Sequence, residues 1–453
     1  MKKIILTLIL IFCSSTLISP VWAESEASAD IISINLSDPG SSDHFTWADN
    51  ELTITKGGFY ILSGELSGRL KINISKDEDI FLSFNGLDIS NASAEAIYIK
   101  KARSVTISLA EGSVNKLSSG SDESEQTDKN ALYCTCPLTI CGSGTLNITA
   151  DIYNGIHCSS DLNIESGIIN ISSAHNAIKA QNILISGGKF TINAANKAMN
   201  SSEELTVTGG TFTLTCADDA VHAGSAISVE GGTFSINAGD DAFHSDSELY
   251  VKDGIINIAS AYEGLEAHKI YISGGMLTIV TKDDGLNTGN EIDRSDLPGI
   301  FISGGDIYIY TEEDDGIDSN GDLLVSGGTL LVDGCSSQWA SPLDWGGEYG
   351  GSITISEGTV WACGMANMAG HFTSDSLQCS VKFTFLSGYA AQDIITISTK
   401  DGEELYSHKM LRKGDSVVFS CDKLTAGESY LIKINDEEHE FIQESVSTQI
   451  KIK

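Results

Sequence analysis

Proline, basic residues and aromatics are all scarce in this chain. Only 5 of its 453 residues are proline, aromatics make up 7%, and 27 Lys and Arg stand against 62 Asp and Glu. So little proline leaves hydrogen-bonded ladders uninterrupted. A formal charge of -35 argues against nucleic acid or an anionic membrane surface as a direct partner. No helical period of useful length is present, and after residue 23 no apolar run is long enough to span a bilayer. There is no CxxC redox motif and no Cys/His nucleophile arrangement. Ten cysteines at this length are too few for a disulfide-dominated scaffold.

Apolar residues and glycine are plentiful. Hydrophobic residues reach 41% and glycines number 45, enough for a large core, so the acidity does not signal disorder. Length alone suggests about three domains unless a repeat stretches one of them.

Residues 1–23 read as an export signal. Lys2 and Lys3 supply the positive start, Ile4–Phe12 is mostly apolar, and Val21-Trp22-Ala23 precedes the expected cleavage. Lipid attachment at Cys13 fits less well because Phe12 is bulky, and an uncleaved anchor would be short for a membrane span. The mature chain is expected to be secreted or held at the cell surface.

The dominant signal is an internal repeat. Gly144, Gly167, Gly188, Gly210, Gly232, Gly254 and Gly275 lie 21 to 23 residues apart, and Gly305, Gly328 and Gly358 continue the series with two longer steps. Each unit carries three short β-type stretches, as in Ala226–Val229, Thr233–Ala238 and Ala242–Ser245. Gly-Gly separates the first two and an Asp-Asp-Ala/Gly turn precedes the third. Three strands in about 22 residues fit one turn of a parallel β-helix. The leucine-rich consensus is missing, and a propeller blade needs about twice the period. The expected architecture is all-β. It comprises the signal (1–23), a lead-in (24–49), the helix (50–362) and an all-β cap (363–453) that shields the open end. Residues 119–129 read as a polar loop.

Aligning the third strands exposes an acidic ladder. Asp218-Asp219 precede Val221-His222, and Asp240-Asp241 precede Phe243-His244. Tyr262-Glu263 precede Leu265-Glu266, Asp283-Asp284 precede Leu286-Asn287, and Asp314-Asp315 precede Ile317-Asp318. The hydrophobic residue should point inward and its successor outward, beside the turn carboxylates. Like charges about 5 Å apart repel by roughly 3 kcal/mol at an effective dielectric of 20. Protonation, water or a cation must relieve this. Oxygen-only clusters suit Ca²⁺, which makes Asp218, Asp219, Asp240, Asp241, Glu263, Glu266, Asp283, Asp284, Asp314, Asp315 and Asp318 candidate ligands. The plainer reading takes these acids as solvated corner formers. Against it, units before residue 200 carry Asn176 and Lys197 where the later ones carry the second acid. His222 and His244 invite a zinc reading but lack a third His. Cys134 and Cys158 share one frame position, which allows either a disulfide or two stacked small residues.

The ordered segments Ile54–Gly64, Leu82–Ile89, Ile107–Asn115, Leu138–Leu146, Asp314–Gly321, Pro342-Leu343-Asp344, Gly364-Met365-Ala366 and Val418–Ser420 resemble those of secreted carbohydrate-binding domain proteins. The resemblance implies a right-handed parallel β-helix akin to pectate lyases, and calcium-dependent binding of acidic plant polysaccharide such as polygalacturonate. It implies that the Asp-Asp-Gly turns and Asp318 bind calcium, and it sets Asp344 in a family motif. Tyr262-Glu263 departs from the acidic pair. A lyase would also need a base, for which Lys282 is the candidate, although Lys282 equally suits a surface counter-charge. Trp339, Trp345 and Tyr349 could stack on sugar rings or pack their loop onto the repeat. A cell-surface adhesion protein without a sugar ligand is the third class, and a monomer is expected.

Overall fold

The computed structural model describes residues 31–120, 129–289 and 296–453. The expected export signal lies outside the described residues, as does most of the 119–129 loop. Among the described residues the only helix is a 3-10 turn, Gly347–Tyr349, and no helix is long and apolar enough to cross a membrane. The protein is all-β. It divides into two compact units, Met1–Ala217 and Asp218–Lys453.

Within each unit the repeat period becomes strand pairing. In the first unit Ile156–Ile164 pairs in parallel with Ile178–Ile185, setting Ile156 beside Ile178 and Leu162 beside Ile183. Thr145–Ala150 pairs with Ile168–Ser173, which pairs with Lys189–Ala194. In the second unit Phe243–Ser260 pairs with Leu265–Thr281, Leu265–Thr281 with Gly299–Thr311, and Gly299–Thr311 with Asp322–Asp333. Equivalent residues of successive repeats therefore sit side by side. Like packs on like: Phe190 stacks on Phe212 at 4.8 Å, and Phe243, Leu265, Leu286 and Ile317 are all fully buried. Burying a side chain of this size contributes roughly 1.5–3 kcal/mol.

Within the residues read as a lead-in, the strand Ile31–Asn35 pairs in parallel with Phe59–Ser63. Alternation in Ile31-Ile32-Ser33-Ile34 is enough to make it an edge strand. The Gly-Gly turn divides two strands in the first unit, as between Ile178–Ile185 and Lys189–Ala194, whereas in the second unit Ala226–Asn237 runs through it and only shifts register there. Glycine permits this bend because it tolerates positive φ: the equivalent Gly254 and Gly275 stand at φ 123° and 90°.

The C-terminal region closes the repeat of the second unit. Its last repeat strand, Ile353–Gly364, pairs on one side in parallel with Asp322–Asp333 and on the other in antiparallel with Gly414–Ser420. That second pairing covers an edge that would otherwise present free backbone groups. Trp361, Phe383, Phe419, Ile432 and Phe441 build a separate core beneath it.

Candidate functional site

The acidic ladder forms in the second unit, in the register expected. His222 lies beside His244, His244 beside Glu266, Glu266 beside Asn287, and Asn287 beside Asp318. A single parallel bridge then adds Asp344 beside Asp318. A motif in the 335–351 insertion thus reaches the end of the ladder.

The two acids of each turn have different surroundings, which the sequence reading did not anticipate. Asp240 and Asp314 are exposed and Asp218 and Asp283 are half-buried. Their successors Asp219, Asp241, Asp284 and Asp315 are buried. The backbone explains this. Asp219 Oδ1 accepts the Asp241 N–H at 3.4 Å, Asp284 Oδ1 accepts the Asp315 N–H at 2.9 Å, and Asp315 Oδ1 accepts the Ser341 N–H at 2.5 Å. Asp219, Asp284 and Asp315 therefore each cap the next turn. The glycine that follows is equally constrained: a Cβ on Gly285 would press on the Ile309 side chain and sit 2.5 Å from the Gly316 carbonyl oxygen.

The first unit has a neutral version of this corner. Asn154 Oδ1 accepts the Asn176 N–H at 3.1 Å, and Asn176 Oδ1 accepts the Lys197 N–H at 3.3 Å. An amide oxygen meets the structural requirement without charge. The corner needs an acceptor; it does not need an acid.

Burial makes the acids costly to ionise. Asp284 is pushed up to about 9, first by burial and then by Asp315, Asp318 and Glu263. Burial likewise raises Asp315 to about 8, Glu263 to about 8 and Asp318 to about 6, and it also raises Asp344. Asp241 is pushed up to about 7 by burial. Such shifts mean that the folded state holds protons, or another cation, where these carboxylates converge.

The two ends of the ladder solve this differently. At one end His244 Nδ1 lies 3.0 Å from both Asp241 Oδ2 and Glu266 Oε2, and these partners raise it to about 10. The imidazolium pairs with both carboxylates and offsets part of the charge at that end. His222 and His244 also gain a third potential ligand in Asp246, 3.6 and 3.7 Å away. Sequence reading missed Asp246, although it stands two residues beyond His244 and so on the same strand face. At the other end, among the described residues, no ion pair reaches Asp284, Asp315, Asp318 or Asp344. Asn287 belongs to this end. It is 8% exposed, and its Nδ2 donates to Glu263 Oε2 at 2.9 Å while its Oδ1 has no partner. An unsatisfied buried oxygen is costly. Glu263, Asp284, Asn287, Asp315, Asp318 and Asp344 thus offer oxygen donors along this end of the ladder, the donor type a hard cation takes, and Glu263 also lies within 4.8 Å of Asp241 and Glu266.

The remaining candidates separate. Lys282 is exposed, with its Nζ 3.8 Å from Glu313 Oε2 and 5.9 Å above the Tyr262 ring. That is the setting of a surface counter-charge. Trp339 is 83% exposed and does not pack its loop down. Trp345 is half-buried against Gly347 and Gly370, directly after Asp344, whose Oδ1 accepts the Trp345 N–H at 2.8 Å. Tyr349 is half-buried in the 3-10 turn. Cys134 and Cys158 are in register and both are free.

A family model described as "Carbohydrate-binding domain-containing protein" matches residues 48–241 and 240–402. The chain belongs to this family. A carbohydrate-binding domain-containing protein of Acetivibrio thermocellus is 33% identical over 137 residues, which is 29% of this chain and 48% of the relative. The chain thus spans about half the length of the curated relative it matches. A solved structure described as the polysaccharide lyase-like protein from C. thermocellum, gadolinium derivative, is 26% identical with a TM-score of 0.46, covering 49% of this chain and 96% of the other.

Proposed function

We propose that this protein is an exported, calcium-dependent binder of acidic polysaccharide of the polygalacturonate type, wound as a right-handed parallel β-helix. Parallel pairing between segments one repeat apart in each unit supports the β-helix reading. The observation that carries the calcium reading is the uncompensated end of the ladder, where buried carboxylates of raised pKa meet the orphaned Asn287 oxygen. A protein of charge -35 repels a polyanion. A divalent ion held by Asp284, Asp315, Asp318 and Asp344 retains open positions and coordinates uronate carboxylates as well, turning repulsion into bridging. Trp345, next to Asp344, and the exposed Trp339 supply apolar surface for sugar rings.

The test is retention on polygalacturonate with Ca²⁺ and with chelator, read together with absorbance of unsaturated product. Retention only with Ca²⁺ and no product is the expected result. Product formation would replace the binder with a lyase, and equal failure in both conditions would leave the adhesion class.

A further inference from the structure

Away from the ladder, Asp333, Cys363 and His408 come together from three separate strands. Asp333 ends Asp322–Asp333 and lies directly beside Cys363 of Ile353–Gly364. His408 belongs to Glu404–Lys409 in the smaller C-terminal sheet, 75 residues from Asp333. Asp333 Oδ1 is 3.2 Å from Cys363 Sγ and 2.9 Å from His408 Nε2, and the three donor atoms all lie within 4.8 Å of one another. We propose that Asp333, Cys363 and His408 form a zinc site that fastens the C-terminal sheet to the last repeat strands.

Three features support it. First, the donors suit the ion. Zinc takes thiolate, imidazole and carboxylate at about 2.0–2.3 Å in tetrahedral array, which sets donors about 3.3–3.6 Å apart. The two separations from Asp333 Oδ1 need widen by only a few tenths of an ångström, and Cys363 Sγ lies within 4.8 Å of the His408 ring nitrogen. Second, the charges cancel: one thiolate, one carboxylate and a neutral imidazole sum with Zn²⁺ to zero, as a buried joint requires. The Cys363 proton is released to solvent on binding. Third, neighbouring groups orient the carboxylate and leave one buried donor unpaired beside the cluster. The Trp361 indole N–H is fully buried with no acceptor at hydrogen-bonding distance. Tyr308 donates to Asp333 Oδ2 at 3.1 Å, and Trp361 packs against His408 with ring centroids 5.7 Å apart. Support of this kind around a ligand is worth about 10–100-fold in affinity. His408 is the one member that reaches solvent, 14% exposed, and a water on that side completes the tetrahedron.

The full chain is tested with excess Ca²⁺ present to occupy the oxygen sites, first for zinc content and then by Co²⁺ titration. One zinc per chain and a sulfur-to-cobalt charge-transfer band are expected. Cys363→Ser should abolish the band, Tyr308→Phe should weaken binding by about 10-fold, and Cys158→Ser should leave both unchanged. A wild-type protein without the band, or a band that survives Cys363→Ser, overturns the proposal. If Cys363→Ser does not fold, His408→Gln replaces it at the solvent edge, and undiminished zinc affinity there refutes the site equally.

Discussion

Replacing Asp284 by Asn separates the structural task of the ladder from its electrostatic one. The amide keeps an oxygen for the Asp315 N–H, now at 2.9 Å, and removes the charge. Asp284 has a folded-state pKa of about 9 against 3.8 for the free group. The folded protein therefore holds this proton more tightly than the unfolded chain. Stability falls as pH rises from about 4 to about 9, because above the unfolded value only the folded state remains protonated. At pH 7 the penalty is 1.36 kcal/mol times about three pH units, or up to about 4 kcal/mol. In chelator at pH 7, Asp284→Asn should melt higher than the wild type, by on the order of 5 °C. With Ca²⁺ the order should reverse, since the wild type gains binding energy from an ionised ligand that the variant lacks. Calorimetry across pH 5 to 9, with chelator and with Ca²⁺, reads both effects. Identical melting of the two proteins in all conditions would refute the reasoning and leave the acids as corner formers.

Three further outcomes follow. The reciprocal change Asn176→Asp in the first unit places a charge where only an acceptor is needed, so it should destabilise by about 1–3 kcal/mol at pH 7 in denaturant titration and recover toward pH 4. Gly285→Ala should cost about 2 kcal/mol or more, measured by the same titration, because the Gly316 carbonyl and Ile309 leave no room for a methyl group. Trp339→Ala should leave the melting temperature unchanged, as expected of a side chain 83% exposed, while weakening retention on polysaccharide by about 5- to 10-fold in affinity electrophoresis.

The period of the glycines made the β architecture readable, because side-chain alternation and repeat length both follow from strand geometry. The register of His222, His244, Glu266, Asn287 and Asp318 was readable for the same reason. Burial of the second acid was not. It depends on a hydrogen bond from the next repeat, and nothing in Asp-Asp-Gly says which carboxylate turns inward. The contribution of Asp344 and the charge-offsetting role of His244 are also contacts across repeats. The Asp333–Cys363–His408 cluster was invisible because its members are separated by 30 and 45 residues and meet only when the C-terminal sheet closes on the repeat.

The contrast between the two units bears most directly on function. Corners in the first unit use Asn154 and Asn176, which satisfy the next backbone N–H at no electrostatic cost. Corners in the second use Asp284 and Asp315, which satisfy the same kind of N–H but resist ionisation by several pH units. Two solutions to one structural problem, one of them expensive, imply that the expensive one serves something else. At the His244 end the expense is met in part within the protein by an imidazolium. At the Asp318–Asp344 end it is not, and there the unsatisfied Asn287 oxygen adds a second cost of the same sign. A hard cation removes both costs in one step, since it neutralises the carboxylates and accepts the Asn287 oxygen as a ligand. On this argument cation affinity should be concentrated at the Asp284–Asp344 end, and neutralising Asp218 or Asp240 should change it little.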